Sequence, residues 1–111
     1  MNLSRRLKIQ SLKKKTEIQN VFDRGKKIYF DFGLLILYND TKDIQKRKFA
    51  ILVKKKSGNA VVRNQIKRVL RHAVCMLPEI YENYNRVVVL YNIRGKADYN
   101  SVINKIRNKL K

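Results

Sequence analysis

Between Asn59 and Pro78 the chain can do little except form one helix. Asn59 follows the turn pair Ser57-Gly58 and offers a side-chain oxygen to the N–H groups that a first helical turn leaves without partners. Pro78 closes the stretch, because proline brings no N–H and biases the residue before it out of the helical region. The spacing predicts a helix that starts near Ala60 and is stopped by Pro78. At about 100° per residue, Val62, Ile66, Val69, Ala73, Met76 and Leu77 share an arc roughly 100° wide, which marks a core face. Arg63, Asn64, Lys67, Arg68 and Arg71 share the opposite arc, about 140° wide, with no carboxylate among them.

A helical face that is merely solvated mixes its signs, so that pairs four residues apart support the helix. Arg63, Lys67 and Arg71 repel one another at that spacing. The arrangement makes sense if a polyanion relieves the repulsion. Arginine presents a planar fork to phosphate, and Asn64 can donate to a phosphate or a base edge. Net charge points the same way: 27 Lys and Arg against 8 Asp and Glu give +19 on 111 residues, with a pI near 10.4.

The run Lys55-Lys56-x-Gly58-Asn59-Ala60-Val61-x-Arg63-Asn64-x-Ile66-Lys67-Arg68-x-x-Arg71 resembles the signature of the bacterial ribonuclease P protein subunit. Members of that family are small basic proteins that partner a catalytic RNA in maturing the 5′ end of tRNA. One position departs. The family reads Arg-Asn-Arg where this chain has Arg63-Asn64-Gln65. Gln65 projects near 300°, at the border of the basic face, so the change is expected to weaken one contact and leave the surface intact.

A chain of this length makes one domain, here 1–111, with 44% hydrophobic residues for a single core. Residues 1–15 are basic and irregular, and are expected to form an arm that settles on RNA phosphates. The N-terminus lacks the apolar segment of a signal peptide, and no apolar run approaches the roughly 18 residues that would span a bilayer. The lone cysteine, Cys75, reads as a packing residue in a reducing cytoplasm.

Thr16-Glu17-Ile18-Gln19 has the form of a capping box, with Thr16 as cap and Gln19 three residues on, and Gly25 stops a short helix over about 17–24. Ile18, Val21 and Phe22 share one side of it, which by spacing alone reads as core. Strand patterns follow at Ile28–Phe30, Phe32–Tyr38 and Lys48–Val53, with turn composition at Asn39–Asp43. After the helix, 79–85 reads as a polar connection, and Arg86–Ile93 is the most apolar strand and therefore central. Asp98 caps a last helix whose inner face carries Tyr99, Val102, Ile103, Ile106 and Leu110.

This order, α-β-β-β-α-β-α, is an α+β two-layer sandwich in which the strands flanking the basic helix run parallel. The resemblance implies the fold of domain 2 of ribosomal protein S5, with a left-handed βαβ crossover. It further implies a cleft for the single-stranded 5′ leader of precursor tRNA, lined by two aromatics four apart on the first helix and one on a strand. Phe22 matches the second aromatic, Ile18 stands in place of the first, and Tyr38 or Tyr29 is the strand candidate.

The side chains offer no nuclease of their own. Two-metal phosphodiester chemistry needs clustered carboxylates, and the eight acids are scattered; a metal-free ribonuclease uses paired histidines, and His72 is single. The resemblance implies that the RNA subunit and the substrate hold the Mg²⁺. Lys55, Lys56, Asn59, Arg63, Asn64, Lys67, Arg68 and Arg71 would then face the catalytic RNA, and Ile18, Phe22 and Tyr38 the leader. A structural rRNA-binding protein is the alternative that charge, size and fold family also permit.

Overall fold

Arg86–Tyr91, strand β5, is the strand against which the rest is laid. Its Val87-Val88-Val89 run is fully buried, as a strand covered on both faces must be. In a computed structural model describing residues 9–41 and 46–110, β5 lies at the centre of a five-stranded sheet of order β1-β4-β5-β3-β2. The other strands are β1 (Ile9–Ser11), β2 (Lys26–Phe30), β3 (Gly33–Tyr38) and β4 (Arg47–Val53). The helices are α1 (Lys15–Arg24), α2 (Ala60–Cys75) and α3 (Tyr99–Leu110). β4 runs parallel to β5, and α2 makes the crossover between them.

Strand alternation divides the apolar residues between the two faces. Leu35, Leu37, Phe49, Val87, Val89 and Tyr91 pack with α2 and α3 in the main core. Ile36, Ala50 and Val88 face the other way and meet Leu12 and Val21. The latter belongs to α1, which lies over β3 and β5 and leaves β4 on that face less covered. This asymmetry positions the site.

Several local expectations change. The residues of the predicted arm that are described, 9–15, contain strand β1, paired parallel to β4, and Ile9 and Leu12 are buried. Arg5, Arg6, Lys8, Lys42 and Asp43 lie outside the described residues. The capping box does not form. The Leu12 N–H bonds the Phe49 carbonyl at 2.7 Å, which fixes the chain early enough for α1 to begin at Lys15 behind an N-cap at Lys14 with no side-chain bond. Thr16 is then already inside the helix, and Gln19 donates to Asp23 instead, at 3.0 Å.

Met76 leaves the core face predicted for it. The helix ends at Cys75, and Met76 adopts φ −91°, ψ 2° with its N–H on the His72 and Ala73 carbonyls, which turns its side chain outward. The segment read as a polar connection holds a 3₁₀ turn, Pro78–Glu82, with Ile80 and Tyr81 buried. At its end the Asn85 amide bonds both backbone groups of Asp40, at 2.7 and 2.9 Å. Gly33 is demanded by the sheet: a Cβ there would stand 1.8 Å from the Leu90 carbonyl oxygen of β5.

Candidate nucleic-acid interface

The basic helix is capped as its sequence requires. Asn59 accepts the Val62 N–H at 3.0 Å, and Lys55–Ser57 form a 3₁₀ turn just before it. Burial of Ile66, Leu70, Ala73 and Val74 against the sheet fixes the helix's rotation. Asn64, Lys67, Arg68 and Arg71 are thereby exposed and Arg63 half-buried, with Lys55, Lys56 and Asn59 exposed at the helix start. All eight predicted RNA-facing residues thus fall on one capped helix and the turn leading into it.

No cation of this face makes an ion pair among the described residues. Four of the acids are engaged elsewhere. Asp31 meets Lys105 at 2.7 Å, Asp40 meets Arg86 at 3.6 Å, and Glu79 meets Arg107 at 3.7 Å. Asp98 caps α3 through the Ser101 N–H at 2.9 Å. Lys105 beside it holds the Asp31 carboxyl below the usual carboxylate range. The Nε of Arg63 is buried without a hydrogen-bond partner among these residues.

Alongside this face runs an open groove over β4. Leu12, Ile18, Ala50, Leu52, Lys67 and Arg71 line a section of about 300 Å³. Phe22, Leu52, Lys54, Lys67 and Leu90 line the next, of about 430 Å³. Leu52 and Lys67 belong to both sections, so the two form one trough with an apolar wall from α1, an apolar floor from the sheet, and cations from α2. An extended single strand suits such a trough, because bases can meet the apolar side while phosphates meet the charged side.

Ile18 and Phe22 are therefore in the groove wall, one turn apart, rather than sealed in the core; Val21 beside them is buried. Tyr38 is on the same sheet face, in register with Arg86, and packs against the α1 cluster without lining either section. Tyr29 is 63% exposed on edge strand β2. Sequence reasoning omitted the floor, Ala50, Leu52 and Leu90, and the cation Lys54 at the end of β4. The floor shows only as the alternate positions of continuous apolar strands, and those do not reveal which face stays open.

His72 is exposed and its ring lies 4.8 Å from that of Tyr99, tilted by 33°. Among the described residues no three His, Cys, Asp or Glu side chains come together. Among the same residues no helix is long and apolar enough to cross a membrane.

A family model described as Ribonuclease P matches residues 7–111. The ribonuclease P protein component of Exiguobacterium sibiricum is 36% identical over 103 residues, which cover 90% of this chain and 86% of that protein. That of Streptococcus agalactiae is 31% identical over 104 residues, 94% of each. Among solved structures, the RNase P protein from Thermotoga maritima matches with a TM-score of 0.71 over 91% of this chain and 94% of its own, at 23% identity. The Staphylococcus aureus RNase P protein gives 0.70 over 88% and 89%, at 24% identity. At such identities these two structures speak for the fold.

Proposed function

Since this chain belongs to the ribonuclease P protein family, we propose that it assists a catalytic RNA in removing the 5′ leader of precursor tRNA, with two contact surfaces that meet at Lys67. The basic face of Lys55, Lys56, Asn59, Arg63, Asn64, Lys67, Arg68 and Arg71 binds the RNA subunit. The trough beside it takes the extended leader against Ile18 and Phe22, with Tyr38 further along the same sheet face. The observation that carries this reading is the shared trough: one lysine lines both of its sections while projecting from the unpaired basic helix.

On this reading the chain contributes binding, not bond cleavage. Cations without carboxylate partners lower the repulsion between leader and RNA phosphates when the two are brought together. A groove that holds the leader favours precursor over mature tRNA, and cleavage removes the part that was held, which favours release of product. The Mg²⁺ that endonucleolytic hydrolysis uses belongs to the RNA subunit and the substrate. On the same reading the reaction takes place in the cytoplasm.

The test is cleavage of a 5′-extended precursor tRNA at low Mg²⁺ by this protein alone, by a bacterial ribonuclease P RNA alone, and by both. Cleavage at the mature 5′ end only in the mixture is the expected result. If the protein never alters the RNA's activity, the reading fails and a structural rRNA-binding role takes its place.

A further inference from the structure

Gln65, where the family signature has arginine, is fully engaged. Its Nε2 donates to the Ala97 carbonyl at 2.8 Å, and its Oε1 accepts the Ala97 N–H at 3.0 Å. A carboxamide can match both groups of one residue's backbone; arginine, having no acceptor, cannot. The expectation that position 65 is only a lost contact therefore misses what the glutamine does. It ties α2 to the loop that joins β5 to α3.

That loop is fastened at other points as well. The Gly95 N–H donates to the Ser57 carbonyl at 2.9 Å, and the Asn92 N–H to the Phe32 carbonyl at 2.8 Å. The Tyr91 hydroxyl donates to the Gly95 carbonyl at 3.3 Å. Gly95 sits at φ +103°, where a side chain would be strained. Arg94 and Lys96 flank Gly95, and both are exposed without an ion pair among the described residues. Since Gly95 is bonded to Ser57, these two cations stand beside the turn that carries Lys55 and Lys56.

The geometry points to Gln65 as a positioning residue that presents Arg94 and Lys96 as a second phosphate-binding segment of the basic face, for the backbone of a folded RNA. Cations held in place before binding avoid part of the ordering cost that a free loop carries. The inference rests on the reading that the α2 face binds the ribonuclease P RNA.

The experiment titrates the full-length chain with a bacterial ribonuclease P RNA, without tRNA, over a series of monovalent salt concentrations. The Arg94→Ala/Lys96→Ala variant is expected to bind more weakly, with a salt slope lower by about two, one per lost contact. Gln65→Met keeps the side chain's length and loses both hydrogen bonds. It is expected to lower the slope alone and to add nothing in the Arg94→Ala/Lys96→Ala background. A slope unchanged in the double variant overturns the inference, and so does a Gln65→Met effect that adds fully in that background. Arg68→Ala separates the two readings. If it also leaves affinity and slope untouched, the underlying assignment of the basic face fails; if it weakens binding while the loop variant does not, only the loop is wrong.

Discussion

The Asn59 side-chain oxygen accepts the Val62 N–H at 3.0 Å, so the residue that starts the basic helix also stands on its charged end. Two substitutions separate these roles. Asn59→Ala removes the cap and is expected to cost about 1 kcal/mol of stability. Asn59→Asp keeps the cap and gains from a negative charge at the helix N-terminus, so its melting temperature should stay level or rise. It also sets a carboxylate among Lys55, Lys56 and Arg63, and RNA affinity should fall. Thermal melts and RNA titrations of both variants check this; equal RNA affinity for Asn59→Asp and the parent chain would remove Asn59 from the contact surface.

Tyr81 is buried and its hydroxyl has no hydrogen-bond partner among the described residues. A buried polar group left unpaired costs stability, so Tyr81→Phe is expected to stabilise the fold by about 1 kcal/mol. Burial, and secondarily the Cys75 thiol, push the Tyr81 hydroxyl far above its ordinary range, against a smaller pull from Arg47. Below pH about 10 the group is protonated in folded and unfolded chains alike, and its titration takes nothing from stability. Above that pH the unfolded chain loses the proton first, so stability falls as pH rises. Burial first, then Asp31, also raises the Tyr91 hydroxyl, against Lys105. Denaturant unfolding at pH 8 and pH 11 should therefore show a drop that is smaller, though not absent, in Tyr81→Phe.

Much of this was legible because single residues decide local structure. Asn59, Gly25, Pro78 and Asp98 mark helix ends, and the Val87–Val89 run marks the central strand. The capping box at Thr16 misled because a tertiary bond, Leu12 to Phe49, sets where α1 begins. The groove was legible only in part. Helical spacing put Ile18 and Phe22 on one side of α1, yet whether that side is sealed depends on how much of the sheet a ten-residue helix covers. Gln65 could not be read at all from position, since its partner Ala97 comes near only through the fold.

Phe22 lines the trough and Arg68 stands on the basic face beside it, and their variants should fail differently. Phe22→Leu keeps apolar contact in the half-buried wall and removes the ring. Loss of one base stack, about 1–3 kcal/mol, should reduce the preference for precursor over mature tRNA by about 5- to 150-fold. Arg68→Ala touches an exposed side chain, so stability should move by less than about 0.5 kcal/mol. RNA affinity should fall with a salt slope lower by about one. If both variants weaken precursor and mature tRNA binding equally, the trough and the basic face do not divide the work as proposed.

Ile18 offers the opposite experiment, a gain. It lines the groove with Leu12, Ala50 and Leu52 and gives a base apolar contact without a ring to stack on. Phe22 lies one turn further along the same wall. Ile18→Phe would place two rings four residues apart, on one side of α1 and facing the trough. The site is half-buried and open toward the groove, so the larger side chain has room to project and the cost of overpacking should be small. A second stack should tighten precursor tRNA relative to mature tRNA by about tenfold, within the range expected for one base–ring contact. Leader length gives the control: with the leader shortened until no nucleotide reaches Ile18, the gain should vanish. A gain that persists on mature tRNA would mean that the ring meets something other than the leader, and the groove would lose its assignment.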